Sequence, residues 1–259
     1  MWRKILNILS WMLIVAYLVV SLAFTENILD ERECVSVRAI VRDSAINHFI
    51  KSGEINAFLV ARGMQMHGVK MGELDQAAIR QAVLSIPGVR NVNVYATPDG
   101  ILTIDVWQRE PLFRYVGSGA SYYIDAEGND MPLSPNHTAR VLIVTGESDR
   151  AYLRDSLKPI VEHIREQPFL DGLIHGIHVA PDHTLELFCR IGDHRVLMGS
   201  ASDYEWKFLK LKSFYEKGMP VAGWKRYQLI DLRYSDQVVA RLATRGKEQK
   251  VQEEATQPD

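Results

Sequence analysis

The feature that most constrains this chain is an uncharged, mostly apolar stretch near its N-terminus, ILNILSWMLIVAYLVVSLAFT, from Ile5 to Thr25. A helix of about twenty residues, at about 1.5 Å per residue, spans about 30 Å, which is the thickness of the hydrocarbon core of a membrane. Arg3 and Lys4 precede the stretch, and Glu26 follows it. The positive-inside rule therefore predicts a transmembrane helix over residues 5–25, with residues 1–4 in the cytoplasm and the rest exported.

The same stretch also has features of a secretory signal peptide. Ser21, Leu22 and Ala23 place small residues where a signal peptidase could cleave. The uncharged run is longer than the apolar core of an ordinary signal peptide, which favours a retained anchor. Both interpretations place the bulk of the chain outside the cytoplasm.

Composition sets further bounds on the class of protein. A chain of 259 residues is long enough for one or two domains with cores of their own, and 47% apolar residues with 24% charged residues are ordinary for a folded protein. The formal net charge of -2 argues against general nucleic-acid binding, which requires a basic surface. We therefore expect no nucleic-acid partner.

Residues 34–108 have the pattern of a small domain in the order strand, helix, helix, strand, strand. Asp75 stands where it can cap the start of the second helix, and Pro87 followed by Gly88 ends that helix. Asp99 and Gly100 predict a hairpin turn between the last two strands. This pattern predicts two helices that cover one face of a three-stranded sheet.

Residues 109–243 consist mainly of short strands, interrupted by two helical segments. The first, RAYLRDSLKPIVEHIREQPFL, contains Pro159, which is expected to kink or split the helix; the second is YEWKFLKLKSFYEKG. We expect a mostly antiparallel β-domain with two helices, so that the whole chain belongs to the α+β class. Residues 244–259 are polar and charged, which predicts a disordered tail.

No set of residues suggests catalysis, a cofactor or a metal. His175, His178, His183, Cys189 and His194 fall within twenty residues, but their spacing matches no standard zinc pattern. On a strand, His175 and His178 point to opposite faces and cannot bind one ion together. Phosphate-binding loops, nucleophile elbows and His-Glu-x-x-His are absent from the sequence. We therefore expect no catalytic, cofactor-binding or metal residues, no small-molecule substrate, and no enzymatic activity.

Cys34 and Cys189 are the two cysteines of the chain. They could form a disulfide in an oxidising compartment, or they could be two small buried side chains, Cys34 in a first strand and Cys189 within LELFCRI. The sequence leaves both possibilities open.

The last segment with a regular pattern is LIDLRYSDQVVARL, residues 229–242. Apolar and polar residues alternate on both sides of a Ser-Asp turn, which predicts a hairpin. The strand from Gln237 to Leu242 is then the edge of a sheet, with one charge, Arg241, and no proline to discourage further pairing. Such an edge is either covered by a neighbour or kept free for β-augmentation, in which a partner adds a strand.

The order of these parts resembles that of the FtsQ/DivIB bacterial division proteins over nearly the whole chain. The segment LSIPGVRNVNVYATPDGILTIDVWQREPLFRY resembles the end of the POTRA domain of that family, and YYIDAEGNDMPL resembles the segment that opens its β-domain. HRVLMGSASDYEWKFLKLKSFYEK and LIDLRYSDQVVARL resemble its strand-then-helix segment and its closing hairpin.

The resemblance implies a non-enzymatic, membrane-anchored scaffold of the divisome. Such a protein would link early and late division proteins, bind FtsB and FtsL-like proteins outside the cytoplasmic membrane, and help control septal peptidoglycan synthesis. It would be a single-pass protein of the inner membrane at the division septum, with periplasmic C-terminal domains. The alternative is an exported POTRA-type chaperone or secretion component for outer-membrane clients.

The resemblance also implies where a partner binds. An FtsB strand is expected beside the last hairpin, with the Tyr234 ring packed against it and Val239 and Arg241 facing away from the domain core. The competing interpretation is that Tyr234, Val238 and Leu242 are core residues. The predicted partner-binding residues are Tyr234, Gln237, Val238, Val239, Ala240, Arg241 and Leu242. The POTRA-like sheet is expected to offer a second exposed edge, used for recruitment to the division site.

Overall fold

The structure is a computed structural model that describes residues 2–43 and 48–243. It divides into two compact units: unit 1 comprises Met1–Arg109 and Ser134–Thr138, and unit 2 comprises Glu110–Leu133 and Ala139–Asp259. The predicted disordered tail, residues 244–259, lies outside the described residues.

The N-terminal segment forms helix α1 (Trp2–Asp30). The side chains of Arg3, Lys4 and Ile8, and those from Ser21 to Leu29, are not described. Among the helices of the described residues, none combines the length and the apolar character needed to cross a membrane. This finding leaves the predicted span over residues 5–25 unconfirmed.

Unit 1 continues with a β-α-α-β-β arrangement, as the sequence predicts. Its elements are β1 (Ser36–Val41), α2 (Ser52–Ala61), α3 (Gln76–Leu84), β2 (Val89–Ala96) and β3 (Ile101–Gln108). The strand order is β1-β3-β2, with β1 parallel and β2 antiparallel to β3.

The local signals in unit 1 act as expected. The Asp75 carboxylate caps α3 by accepting the Ala78 N–H at 2.8 Å. Gly100 has a φ of +77°, which glycine adopts without strain in the turn between β2 and β3. Ile55 and Leu59 of α2 are fully buried, which places the apolar side of that helix in the core.

Unit 2 is built on a nine-stranded sheet. Its strands are β4 (Pro111–Gly117), β5 (Ala120–Asp125), β6 (Asp130–Met131), β7 (Leu142–Gly146), β8 (Ile174–Val179), β9 (Leu185–Cys189), β10 (Arg195–Gly199), β11 (Tyr227–Asp231) and β12 (Val239–Leu242). The order across the sheet is β12-β11-β10-β9-β8-β7-β4-β5-β6.

Two helical connections lie between strands of this sheet. The first contains α4 (Arg150–Tyr152), a π-helical turn (Leu153–Leu157), α5 (Lys158–Glu166) and α6 (Pro168–Leu173); the second contains α7 (Tyr204–Ser213), another π-helical turn (Phe214–Gly218) and α8 (Met219–Ala222). The predicted helices are thus present but broken into shorter pieces. Pro159 lies at the start of α5, because a proline is accommodated in the first turn of a helix.

The direction of the strands explains where the helices pack. β7 and β8 are parallel, and so are β10 and β11, and all four run the same way. Each pair is joined by a helical connection that moves towards the same side of the sheet, and such crossovers are right-handed in nearly all proteins. Both connections therefore cover the same face. There Leu157 and Ile160 join Phe208, Ile177 and Ile230 in one buried core.

The strand directions in the sheet are more mixed than the sequence suggests. The pairs β4–β7, β7–β8 and β10–β11 are parallel, and the other five are antiparallel. Each parallel pair requires a long crossover, which residues 118–141, 147–173 and 200–226 provide.

Candidate partner-binding edge

The closing hairpin is present, but its strands are shorter than predicted. β11 ends at Asp231 and β12 begins at Val239. The predicted site residues Tyr234, Gln237 and Val238 therefore lie in the connection and not in the strands. Only Val239, Ala240, Arg241 and Leu242 belong to the edge strand itself.

The position of β12 confirms the predicted sheet edge. β12 is the terminal strand of the nine-stranded order and pairs on one side with β11. The Ala243 N–H donates to the Arg226 carbonyl oxygen at 2.9 Å, so the backbone of Ala243 points towards β11. Backbone groups alternate in direction along an antiparallel strand. Those of Arg241 and Val239 therefore also face β11, whereas those of Ala240 and Leu242 point outward.

The side chains of β12 divide between the two faces of the sheet. Val239 is 40% exposed and Arg241 is exposed, as expected for residues that face away from the core. Leu242 is 55% exposed and Tyr234 is 47% exposed, so the interpretation of these two as core residues is wrong. Val238, in contrast, packs against the core.

Hydrogen bonds to helix α7 and within the connection explain why the strands are short. The Lys210 ammonium donates to the Leu232 carbonyl oxygen at 3.0 Å and also to the Tyr234 carbonyl oxygen. The Trp206 indole N–H donates to the Ser235 carbonyl oxygen at 2.8 Å. These carbonyl groups are bound to the helix and do not extend the ladder between β11 and β12.

Asp231 and Arg233 form the second restraint on this connection. The Arg233 guanidinium contacts both carboxylate oxygens of Asp231, at 2.7 and 3.0 Å, and the Arg233 backbone N–H adds a third bond. These bonds hold the pKa of the Asp231 carboxyl below its usual value, with a smaller contribution from the Arg241 charge. The pair thereby fixes the start of the connection, where the Leu232 N–H still donates to the Leu197 carbonyl oxygen of β10 at 2.9 Å.

A shallow groove runs beside the connection. It has a volume of about 320 Å³, and its lining includes Lys210, Lys217, Asp236, Gln237 and Val238. Within residues 2–43 and 48–243, the arrangement offers unpaired outward backbone groups on β12, exposed apolar side chains and a charged groove. Such a surface can bind an extended peptide segment by main-chain hydrogen bonds.

The sequence did not reveal the roles of Trp206, Lys210 and the Asp231–Arg233 pair. Trp206 and Lys210 occupy positions i and i+4 of α7, which places them on one side of that helix. That spacing was the available signal, but the segment they contact lies more than twenty residues further along the chain.

Other candidate sites can be placed as well. The described residues contain no group of three or more His, Cys, Asp or Glu side chains able to hold a metal ion. Cys34 and Cys189 are both free thiols, Cys34 in unit 1 and Cys189 in unit 2.

The fold and this edge define a class of protein: a small β-α-α-β-β domain followed by a mixed β-domain whose last described strand is a sheet edge. A POTRA-like domain matches residues 32–107, and the family described as FtsQ/DivIB, C-terminal related, matches residues 110–241. The chain belongs to the FtsQ/DivIB family.

A comparison with curated proteins agrees with this assignment. The chain is 28% identical, over 194 residues, to the cell division protein FtsQ of Rhodothermus marinus, and the match covers 71% of each chain. Family membership gives the chain a role in cell division and places it in a non-enzymatic family.

Proposed function

We propose that this protein is a membrane-anchored scaffold of the divisome that links early and late division proteins and helps control septal peptidoglycan synthesis. Its partners are FtsB and FtsL-like proteins, and FtsB adds a strand beside β12. The single observation that carries the binding mode is the edge position of β12, with the backbone groups of Ala240 and Leu242 directed outward. Tyr234, Gln237 and Val238 flank the added strand from the connection.

The proposed location follows from the sequence and the family together. Residues 5–25 anchor the chain in the cytoplasmic membrane, the N-terminus is cytoplasmic, and both units are periplasmic at the septum. The FtsQ/DivIB family matches residues 110–241. This match favours the proposed function over that of an exported chaperone for outer-membrane clients.

Replacement of Ala240 by proline tests the binding mode. Proline removes the outward N–H of Ala240, which would donate to an added strand, and spares the N–H groups of Val239 and Arg241 that face β11. We expect Ala240→Pro to lose about five- to 150-fold in affinity for FtsB, since one lost backbone bond and a disturbed ladder cost about 1–3 kcal/mol. The measurement is a titration of the full chain in detergent with labelled FtsB.

Ala240→Val is the matched control, because it retains the N–H and has high β-propensity. Circular dichroism and thermal melting should show that both variants fold like the parent chain. If Ala240→Pro folds normally and binds FtsB at full strength, strand addition at β12 is incorrect.

A further inference from the structure

Helix α7 carries two large apolar side chains on its exposed surface. Trp206 is 51% exposed and Leu209 is 55% exposed. The two residues are three positions apart in the helix, so they lie next to each other. Exposed apolar side chains that cluster on a surface, in contrast to those scattered singly, are typical of interaction sites.

These two side chains line a groove between α7 and the turn from α5 to α6. The groove has a volume of about 430 Å³. Leu170 and Phe208 are buried at its floor, and Phe169 is half-buried beside them. Pockets of about 300–1,000 Å³ bind groups as large as a drug-sized molecule. The groove can therefore hold the apolar side chains of a partner.

The aromatic side chains of the groove are held in place by contacts within unit 2. The Trp206 indole N–H donates to the Ser235 carbonyl oxygen at 2.8 Å. On the α5 side, the His163 ring stacks on Phe208 with the two ring planes 8° apart. Side chains that are already fixed lose little conformational entropy on binding, so the groove is prepared for a ligand.

Two opposite charges mark the groove along α7. Glu205 and Lys212 both line it, both are exposed, and they are seven residues apart, which is about two helical turns or about 10.5 Å. Among the described residues, Glu205 forms no ion pair. Lys212 lies 3.9 Å from Glu216 in a solvent-exposed pair, which contributes little. The groove is therefore acidic near the start of α7 and basic near its end.

This pattern of charge fits an amphipathic helix that packs antiparallel to α7. Such a helix places apolar side chains at positions i, i+3, i+4 and i+7 into a groove. Its earlier residues would lie beside Lys212 and its later residues beside Glu205, so an acidic residue must precede a basic one by seven positions. The helix dipole favours the same order, because it stabilises acidic residues near the N-terminus and basic residues near the C-terminus.

We propose that the groove beside Trp206 and Leu209 binds an amphipathic helical segment of a partner protein. The segment runs antiparallel to α7, with an acidic side chain beside Lys212 and a basic side chain beside Glu205. This site lies on the helix-covered face of the sheet of unit 2, and it does not depend on strand addition at β12.

A pair of model peptides tests this inference on the full chain, labelled with ¹⁵N and held in detergent micelles. Both are acetylated, amidated, alanine-rich peptides of about 18 residues, long enough to form a helix, with leucines along one side. In the probe, a glutamate beside the leucines precedes a lysine by seven positions. In the control, the two charged residues are exchanged. The composition is identical, so both peptides should partition equally into the micelles.

We expect the probe to shift the indole N–H signal of Trp206 and the amide signals of residues 205–212. The indole signal is assigned from its loss in Trp206→Phe. The probe should bind about three- to tenfold more tightly than the control, because two exposed ion pairs replace two repulsive contacts.

Three variants sharpen the result. Glu205→Lys combined with Lys212→Glu exchanges the charges of the groove and should reverse the preference between the peptides. Leu209→Glu places a charge on the apolar surface and should weaken both peptides by about tenfold or more. Val221→Glu is the matched control, because Val221 is 89% exposed and does not line the groove. Circular dichroism should show that all three fold like the parent chain.

Several outcomes would overturn the inference: no shifts at residues 205–212 at millimolar peptide, equal affinity for the two peptides, a preference that the charge exchange does not reverse, or equal losses from Leu209→Glu and Val221→Glu. Shifts confined to residues 239–242 would also contradict it, because the peptide would then occupy the edge strand. Concentration-dependent shifts at the groove without peptide would identify the occupant as a second copy of the chain.

Discussion

Acidification should destabilise unit 2 through one buried histidine. His194 is 4% exposed, its Nε2 is hydrogen-bonded to the Tyr215 hydroxyl, and its Nδ1 has no hydrogen-bond partner. Burial lowers the pKa of His194, and the charge of Asp193 opposes this only in part. Burial also raises the pKa of the nearby Cys189 thiol to about 11, so the surroundings contain no thiolate that could stabilise an imidazolium.

The sign and size of the effect follow from proton linkage. Because the folded-state pKa lies below the ordinary value of 6.5, the unfolded chain binds more protons than the folded chain as the pH falls below that value. The stability is fully present above pH 6.5 and declines as the pH approaches the folded-state pKa. The free energy of unfolding falls by at most about 1.4 kcal/mol per pH unit for this one proton.

Urea unfolding of the full chain between pH 7.5 and 5 measures this slope. The Asp231 carboxyl, whose pKa the fold lowers, contributes above its ordinary value of 3.8 and loses that contribution only at lower pH. His194→Gln keeps a hydrogen-bonding amide but removes the titration, and it should flatten the slope between pH 6.5 and 5. If His194→Gln has the same slope as the parent chain, His194 does not account for the acid sensitivity.

The remaining predictions concern stability and the N-terminus. Asp75→Ala removes the cap of α3 and should cost about 0.5–2 kcal/mol, seen as a lower melting temperature, whereas Asp75→Asn should retain most of that stability. Ile177→Ala deletes a fully buried side chain from β8 and should cost about 2–5 kcal/mol in urea unfolding, against about 0.5–1.5 kcal/mol for Ile177→Val; equal costs would contradict the packing. Mass spectrometry of the purified protein should find an uncleaved N-terminus, and a mature chain that begins at Phe24 would exclude a retained anchor.

Local signals in the sequence were sufficient to predict the order of elements in unit 1. Asp75, Gly100 and the alternation in β2 and β3 depend on neighbours only a few residues away, so the element order and the hairpin could be predicted. The hydrogen bond from the Arg80 guanidinium to the Val92 carbonyl oxygen of β2 could not be predicted. A side chain that reaches a carbonyl oxygen twelve residues away leaves no periodic signal in the sequence.

Unit 2 shows more clearly which features could not be predicted from the sequence. The alternation around Ile230 predicted the hairpin and its place at an edge, but it extended both strands too far. Their ends are set by Trp206 and Lys210 of α7, which bind carbonyl groups distant in sequence. The parallel pairing of β10 with β11 was equally hidden, because short strands look alike whichever direction their neighbours run.

The place of β12 as the last strand of the described residues also determines when the edge can exist. β11 docks on β10 only after the connection between Gly199 and Tyr227 has closed, and β12 pairs last. During synthesis from the N-terminus, the pairing surface is therefore completed only when Val239–Leu242 have been made. A chain truncated before Val239 would instead present β11 as the edge strand. β11 has a different sequence and runs parallel to its neighbour β10, whereas β12 runs antiparallel to β11. A strand added at β12, as proposed above, would therefore select chains in which β10, β11 and β12 have all formed.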